Sequence, residues 1–261
     1  MKLDDVRAML AALAPDVRAA LDDVVSNALD VMRVPPPMRL SVWAEKFFYL
    51  SKESSYIEGD WKAWPFQAGW MDCMSHPEVH HFTCRKSARV GYTKVLLAHA
   101  MWERAHARRN SVIFQPTDGD SDEFVTGELE PVIRDIAVMR KFMPRFTRRS
   151  KDNTLRKKKF TTGTIHLRGG AAAKNYRRLT ADTVVYDELS GFARDVEKEG
   201  SPTKLGDKRI EGAVYPKSIA GSTPKLKGLD NTDDREETAD AHLRWLDRKS
   251  TRLNSSHGYI S

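Results

Sequence analysis

Cysteine is scarce. Cys73 and Cys84 are the only two, eleven positions apart. Two cysteines support neither a zinc site nor a disulfide framework and read as two ordinary thiols. Also missing is any apolar run approaching the roughly 20 residues of a membrane-spanning helix, and the amino terminus MKLDDVRAML is acidic and amphipathic, unlike a secretory leader. A membrane role is therefore not expected, and the chain should stay in the cytoplasm in which it is made. Charge of one sign is in only modest excess: 43 Lys and Arg against 36 Asp and Glu give +7 over 261 residues. Such a balance does not identify a partner, but its distribution along the chain can. With 40% hydrophobic residues, the chain can bury the core of one large domain or two small ones.

Leu3, Val6, Leu10, Leu13, Val17, Leu21, Val24, Val25, Leu29 and Met32 fall at helical spacing, interrupted by Pro15. Residues 1 to 32 are thus expected to form one or two amphipathic helices that pack on their own domain, the alternative being that they dock a partner. Pro35, Pro36 and Pro37 cannot continue a helix and mark a linker over 33 to 39. The stretch 40 to 78 is rich in aromatics, most of which must be core. Within it W-P-F-Q, residues 64 to 67, offers Phe66 to stack on a base and Gln67 to read an adenine edge.

From residue 79 apolar strand signals alternate with helices. Strands are expected at 79 to 84, 110 to 115, 163 to 169, 182 to 188 and 217 to 223, with a helix of about 15 residues between the first two and another within 119 to 143. Such alternation implies an open α/β domain of parallel strands, with ligands at their carboxyl ends. Residues 140 to 159, RKFMPRFTRRSKDNTLRKKK, carry ten basic side chains against Asp152 alone. At a hairpin or loop, Arg148, Arg149, Lys157, Lys158 and Lys159 are either a phosphate-backbone footprint or a solvated basic loop. The last twelve residues, 250 to 261, lack apolar periodicity and are expected to be a non-native tail, with the natural protein continuing beyond 249.

Three segments carry chemistry. In K-S-A-R-V-G-Y-T, residues 86 to 93, a strand runs through a small basic turn into a helix. A phosphate loop works because the amides of such a turn and of the helix start converge on phosphate oxygens, while a lysine adds charge and a hydroxyl holds Mg²⁺. Aligned on G-x-x-x-x-G-K-[ST], Gly91 and Thr93 fit, Tyr92 stands where lysine is required, and Lys86 occupies the place of the first glycine. A long ammonium acting as a point charge can reach the same phosphates from the start of the loop, with Ser87 beside it. Arg89 adds a second cation suited to a γ-phosphate contact. Alone, the stretch matches any basic turn after a strand. The second segment, T-V-V-Y-D-E, is an apolar strand ending in two acids, the form of a Walker B element: Asp187 for Mg²⁺ and Glu188 to polarise an attacking water, which favours hydrolysis over transfer. Its bland alternative is a solvated strand end. The third, I-A-G-S-T-P, ends a strand in Ser222 and Thr223, placed either to sense the γ-phosphate or to close an ordinary turn.

Together R-K-S-A-R-V-G-Y-T, Q-P-T-D-G-D, V-V-Y-D-E-L and G-S-T-P resemble the large terminase subunit of tailed bacteriophages, in its lambda-type gpA-like group, over about residues 38 to 247. The group is noted for a phosphate loop whose lysine stands at its start. The resemblance implies an ASCE/RecA-like P-loop NTPase domain over 40 to 249 that hydrolyses ATP with Mg²⁺ to drive double-stranded DNA into a procapsid within the host cytoplasm. It assigns Lys86, Ser87, Arg89, Gly91, Tyr92 and Thr93 to the loop, Asp187 and Glu188 to metal and catalysis, Ser222 and Thr223 to coupling, and Phe66 and Gln67 to the adenine side. It also implies a small terminase subunit bound by the amino-terminal segment, a portal protein and a homo-oligomeric ring as partners, and an endonuclease domain in the full-length protein. Two alternatives stand beside it: a catalytically idle DNA-binding or assembly module, and a helicase-like ATPase.

Overall fold

The computed structural model describes residues 14–32, 36, 38–143, 152–226, 228 and 230–245. The longest helix, α1 (Pro15–Met32), keeps the amphipathic pattern. It does not bury its apolar side as expected: Val17, Leu21, Val24, Val25 and Leu29 all stand exposed. The 33–39 linker is described only at 36, 38 and 39, and the tail 250–261 lies outside the described residues.

After the linker come α2 (Leu40–Phe47), a two-stranded ribbon of β1 (Tyr49–Leu50) and β2 (Gly59–Asp60), and α3 (Pro65–Ser75). The main sheet is built from β3 (His81–Arg85), β4 (Ser111–Gln115), β5 (Asn153–Thr154), β6 (Lys157–Phe160), β7 (Gly163–Gly169), β8 (Thr183–Asp187) and β9 (Lys217–Ser222), in the order β3-β9-β8-β4-β7-β6-β5. The first five of that order run parallel, and β5–β6 form an antiparallel edge on β7. Every residue of β4, β8 and β9 is buried, as parallel strands covered on both faces require. Alternation divides each strand between two cores: Ile113, Val185 and Ile219 face one cluster with α2, α3 and α4 (Tyr92–Trp102), whereas Val112, Phe114, Val184, Tyr186 and Ala220 face the other. In the second, Phe114 stacks between Tyr176 and Tyr186 with ring centroids 4.4 and 5.8 Å away.

All five expected parallel strands are present, with ends displaced by a residue or two. The helix expected within 119 to 143 runs as α5 (Asp118–Phe124), a π-helical turn over Val125–Leu129 and α6 (Glu130–Asp135), with a 3₁₀ turn over Ala137–Lys141 after it. Pro131, which supplies no N–H to the ladder, follows the π turn, and the chain leaves the helix at Ile136, whose ψ of 108° is extended. The second half of the basic run forms the β5–β6 hairpin.

The register positions the site. Arg85 lies opposite Ser222, and Asp187 opposite Gly221. Hence Lys86, Glu188 and Ser222 emerge together at the carboxyl edge, with β9 standing between the loop strand and the acidic strand.

Candidate active site

The loop from Lys86 to Val90 leaves β3 and enters α4 at Gly91, whose φ of 75° is the left-handed conformation that glycine adopts without strain. No side chain caps α4. Its first amides are therefore left for a ligand, which is what an anion site at a helix start needs. Arg89 is also left-handed, at φ 62°, and together with Ser87 stands exposed in the turn.

Lys86 is anchored twice. Its amide donates to Ser222 O at 3.1 Å, and its buried ammonium donates to Glu188 Oε1 at 2.7 Å. The other Glu188 oxygen accepts the Ser222 hydroxyl at 3.3 Å. Glu188 is nonetheless 46% exposed in its side chain and holds a left-handed φ of 51°, the kind of strained backbone that clusters at functional sites. The three segments singled out in the sequence thus meet through side-chain bonds. The hydroxyl of Thr223, by contrast, lies on an exposed residue and joins none of them; only its carbonyl accepts from Ser222.

Asp187 is 3% exposed, fixed by Gln115 Nε2 at 3.2 Å and by the amide of Glu188 at 3.1 Å. Burial pushes its carboxyl up to about 6; the Gln115 hydrogen bond and the Lys86 charge oppose the rise and the Glu188 charge adds to it. An under-compensated buried carboxylate suits a cation. Among the described residues no three His, Cys, Asp or Glu side chains converge as a metal cage. A fit to Mg²⁺ is consistent with that, because this ion is held by one or two protein oxygens and completes its shell with phosphate and water. Asp187 closes β8, and the half-buried Thr93 stands in the first turn of α4.

Two assignments need correction. Gln67 does not offer its amide to a base: Oε1 accepts from Trp64 N at 2.8 Å and Nε2 donates to Val90 O at 2.8 Å. It caps α3 and clamps the turn before α4, while Phe66 packs edge-on against Trp70 at 5.1 Å. Lys158 is 2% exposed and its ammonium pairs with Glu130, so alternation on β6 turns it inward, away from any DNA phosphate. Lys157 and Lys159 both bind Asp152, at 2.9 and 3.2 Å. Arg148 and Arg149 lie outside the described residues.

Sequence reasoning assigned no role to Gln115, nor to the relay behind Ser222. Ser190 N donates to Ser222 Oγ at 3.1 Å, and Ser190 Oγ donates to Asp230 at 2.6 and 2.8 Å. Burial alone would raise the Asp230 carboxyl, but hydrogen bonds from the Lys225 amide, Ser190 and Thr232 hold it down to about 2. A polar residue closing a buried apolar strand was the available signal for Gln115; Ser190 and Asp230 had none.

The sequence profile of the family described as phage terminase large subunit gpA, ATPase domain, matches residues 55–248. A terminase large subunit of Enterobacteria phage P21 is 51% identical over 205 residues, which is 78% of this chain and 32% of that protein. The terminase large subunit of Escherichia phage lambda is 48% identical over 195 residues, 74% and 30% of the two chains. This chain therefore spans about a third of the length of the curated relatives it matches. The crystal structure of the HK97 bacteriophage large terminase aligns with a TM-score of 0.61 over 77% of this chain and 41% of that one; at 12% identity the likeness is one of fold.

Proposed function

The chain belongs to the family of phage terminase large subunit gpA ATPase domains, and from that premise we propose that it hydrolyses ATP to power the packaging of double-stranded DNA into procapsids. The observation that carries this reading is the junction of Lys86, Glu188 and Ser222 at one sheet edge, beside the uncapped start of α4. The α4 amides and Lys86 bind the phosphates, Arg89 adds charge from the turn, and Glu188 accepts the proton of the attacking water. Mg²⁺, when bound through Asp187 and Thr93, supplies charge neutralisation for the phosphate oxygens.

Without nucleotide, Lys86 and Glu188 hold each other. Phosphate must compete for the ammonium, and that competition frees the carboxylate to act as a base only when a substrate is in place. Departure of the γ-phosphate restores the pair and its link to Ser222, and the Ser190–Asp230 bonds pass that change to the segment following β9. The exposed apolar stripe of α1 is offered to the small terminase subunit, as an amphipathic helix lays one face into a groove. The portal protein and a ring of further copies complete the assembly.

The test is the ATPase rate of the wild type against Lys86→Ala and Glu188→Gln, with and without duplex DNA. Loss of roughly a hundredfold or more in each variant is the expected result. Equal, negligible rates in all three would leave the idle assembly module as the better description.

A further inference from the structure

Where the usual phosphate loop has lysine, this chain has Tyr92, and phosphate contact does not explain what surrounds it. The side chain is 2% exposed. Its ring lies across β9 at Gly221, where an added Cβ would fall 2.2 Å from the Tyr92 Cζ, and meets Trp70 edge-on at 6.0 Å. The hydroxyl has no hydrogen-bond partner among the described residues. The face of the ring does have one: the Lys86 ammonium stands over it, 5.5 Å from the centroid.

A lysine moved to the start of the loop has a problem that one at the end does not. Its four-carbon stem carries a point charge with no fork to orient it, and each free rotamer dilutes the conformer that reaches phosphate. The Lys86 main chain is pinned to Ser222, but that bond does not aim the ammonium. A wall of negative aromatic face within about 6 Å does. The wall can lie there only because residue 221 has no side chain.

We propose that Tyr92 is a positioning residue for Lys86: filling the place vacated by the usual lysine, its ring holds the displaced ammonium between Glu188 and the phosphate loop. The inference deepens the ATPase reading and rests on it. It makes Lys86, Tyr92 and Gly221 one device, in which the aromatic at the old lysine position and the glycine on the neighbouring strand are both required by the shift of the charge.

The test separates ring electronics from ring shape. Phenylalanine, 3,5-difluorophenylalanine and pentafluorophenylalanine are placed at position 92, and ATP affinity is measured by calorimetry beside the wild-type chain. Fluorine drains the ring face while nearly keeping its volume. Phenylalanine is a fair reference because the hydroxyl makes no bond here. Affinity is expected to fall roughly three- to tenfold across the series, and the trend to vanish in a Lys86→Ala background. Should a fluorinated variant not fold, Gly221→Ala displaces the native ring and is expected to weaken ATP binding by a similar factor. A flat series, or a slope that persists without Lys86, would overturn the proposal. Absence of ATP binding by the wild type would instead sink the ATPase reading itself.

Discussion

Gly91→Ala and Gln67→Ala, alone and together, probe whether the loop is held as described. Alanine at 91 must adopt a φ of 75°, and a left-handed L-residue costs roughly 1–2 kcal/mol. Its Cβ would also fall 2.7 Å from Gln67 Nε2. The amide has to swing away, losing its bond to Val90 O, for about 1 kcal/mol more. Gly91→Ala should thus cost about 2–3 kcal/mol, whereas in a Gln67→Ala background only the backbone cost of about 1–2 kcal/mol remains. Urea denaturation of the four proteins measures the difference, a coupling of about 1 kcal/mol. ATP and GTP affinities supply the functional arm: a clamp loosened by Gln67→Ala should weaken both nucleotides alike. Additive energies would refute the steric part of the reasoning, and a loss confined to ATP would restore Gln67 as an adenine reader.

Asp187→Asn should abolish metal-dependent hydrolysis yet stabilise the apo chain in chelator. The folded carboxyl lies near 6 against a usual 3.8, so its ionisation costs about 3 kcal/mol above pH 6. Losing one acceptor returns about 1 kcal/mol, leaving a net gain of about 2 kcal/mol at pH 7.5 that fades as pH falls through about 6 and is gone below about pH 3, where the acid is protonated in both states; destabilisation at neutral pH in a urea titration would contradict this. Lys158→Ala should lower stability by about 1 kcal/mol through the lost pairing of its buried ammonium with the half-exposed Glu130 while leaving the salt dependence of DNA binding unchanged, whereas joint neutralisation of Lys157 and Lys159 should flatten that slope by no more than about two phosphates. A slope altered by Lys158→Ala would return it to the DNA-facing set. Leu21→Asp with Val25→Asp should lower affinity for the small terminase subunit at least tenfold and leave the ATPase rate alone; unchanged binding would remove α1 from that contact.

Much of the architecture was legible because doubly covered parallel strands are short apolar runs, and VVYD, SVIFQ and SIAGS stand out from their surroundings. Two of the three chemical segments were legible for the same reason, because they close β8 and β9; the third follows the half-exposed edge strand β3 and was legible from its basic turn and Gly91. Register was not, and only register brings Lys86, Glu188 and Ser222 within bonding distance. The KKKF strand was hidden because three consecutive lysines mask an alternation in which Lys158 and Phe160 alone point inward. Gln67 was misassigned because an amide has two ends, and which neighbours take them depends on how α3 packs beside the loop. The α1 stripe was expected inside because an apolar face signals burial without naming the surface that covers it.

The most direct test of the site separates binding from hydrolysis at the Lys86–Glu188 pair. Glu188→Gln removes the partner that holds the ammonium, so ATP should bind at least as tightly as in the wild type while hydrolysis falls roughly a hundred- to thousandfold; Lys86→Ala should still bind ATP measurably but roughly ten- to a hundredfold more weakly, and lose hydrolysis. Glu188→Gln binding ATP more weakly than wild type, or Lys86→Ala binding it equally well, would contradict the account.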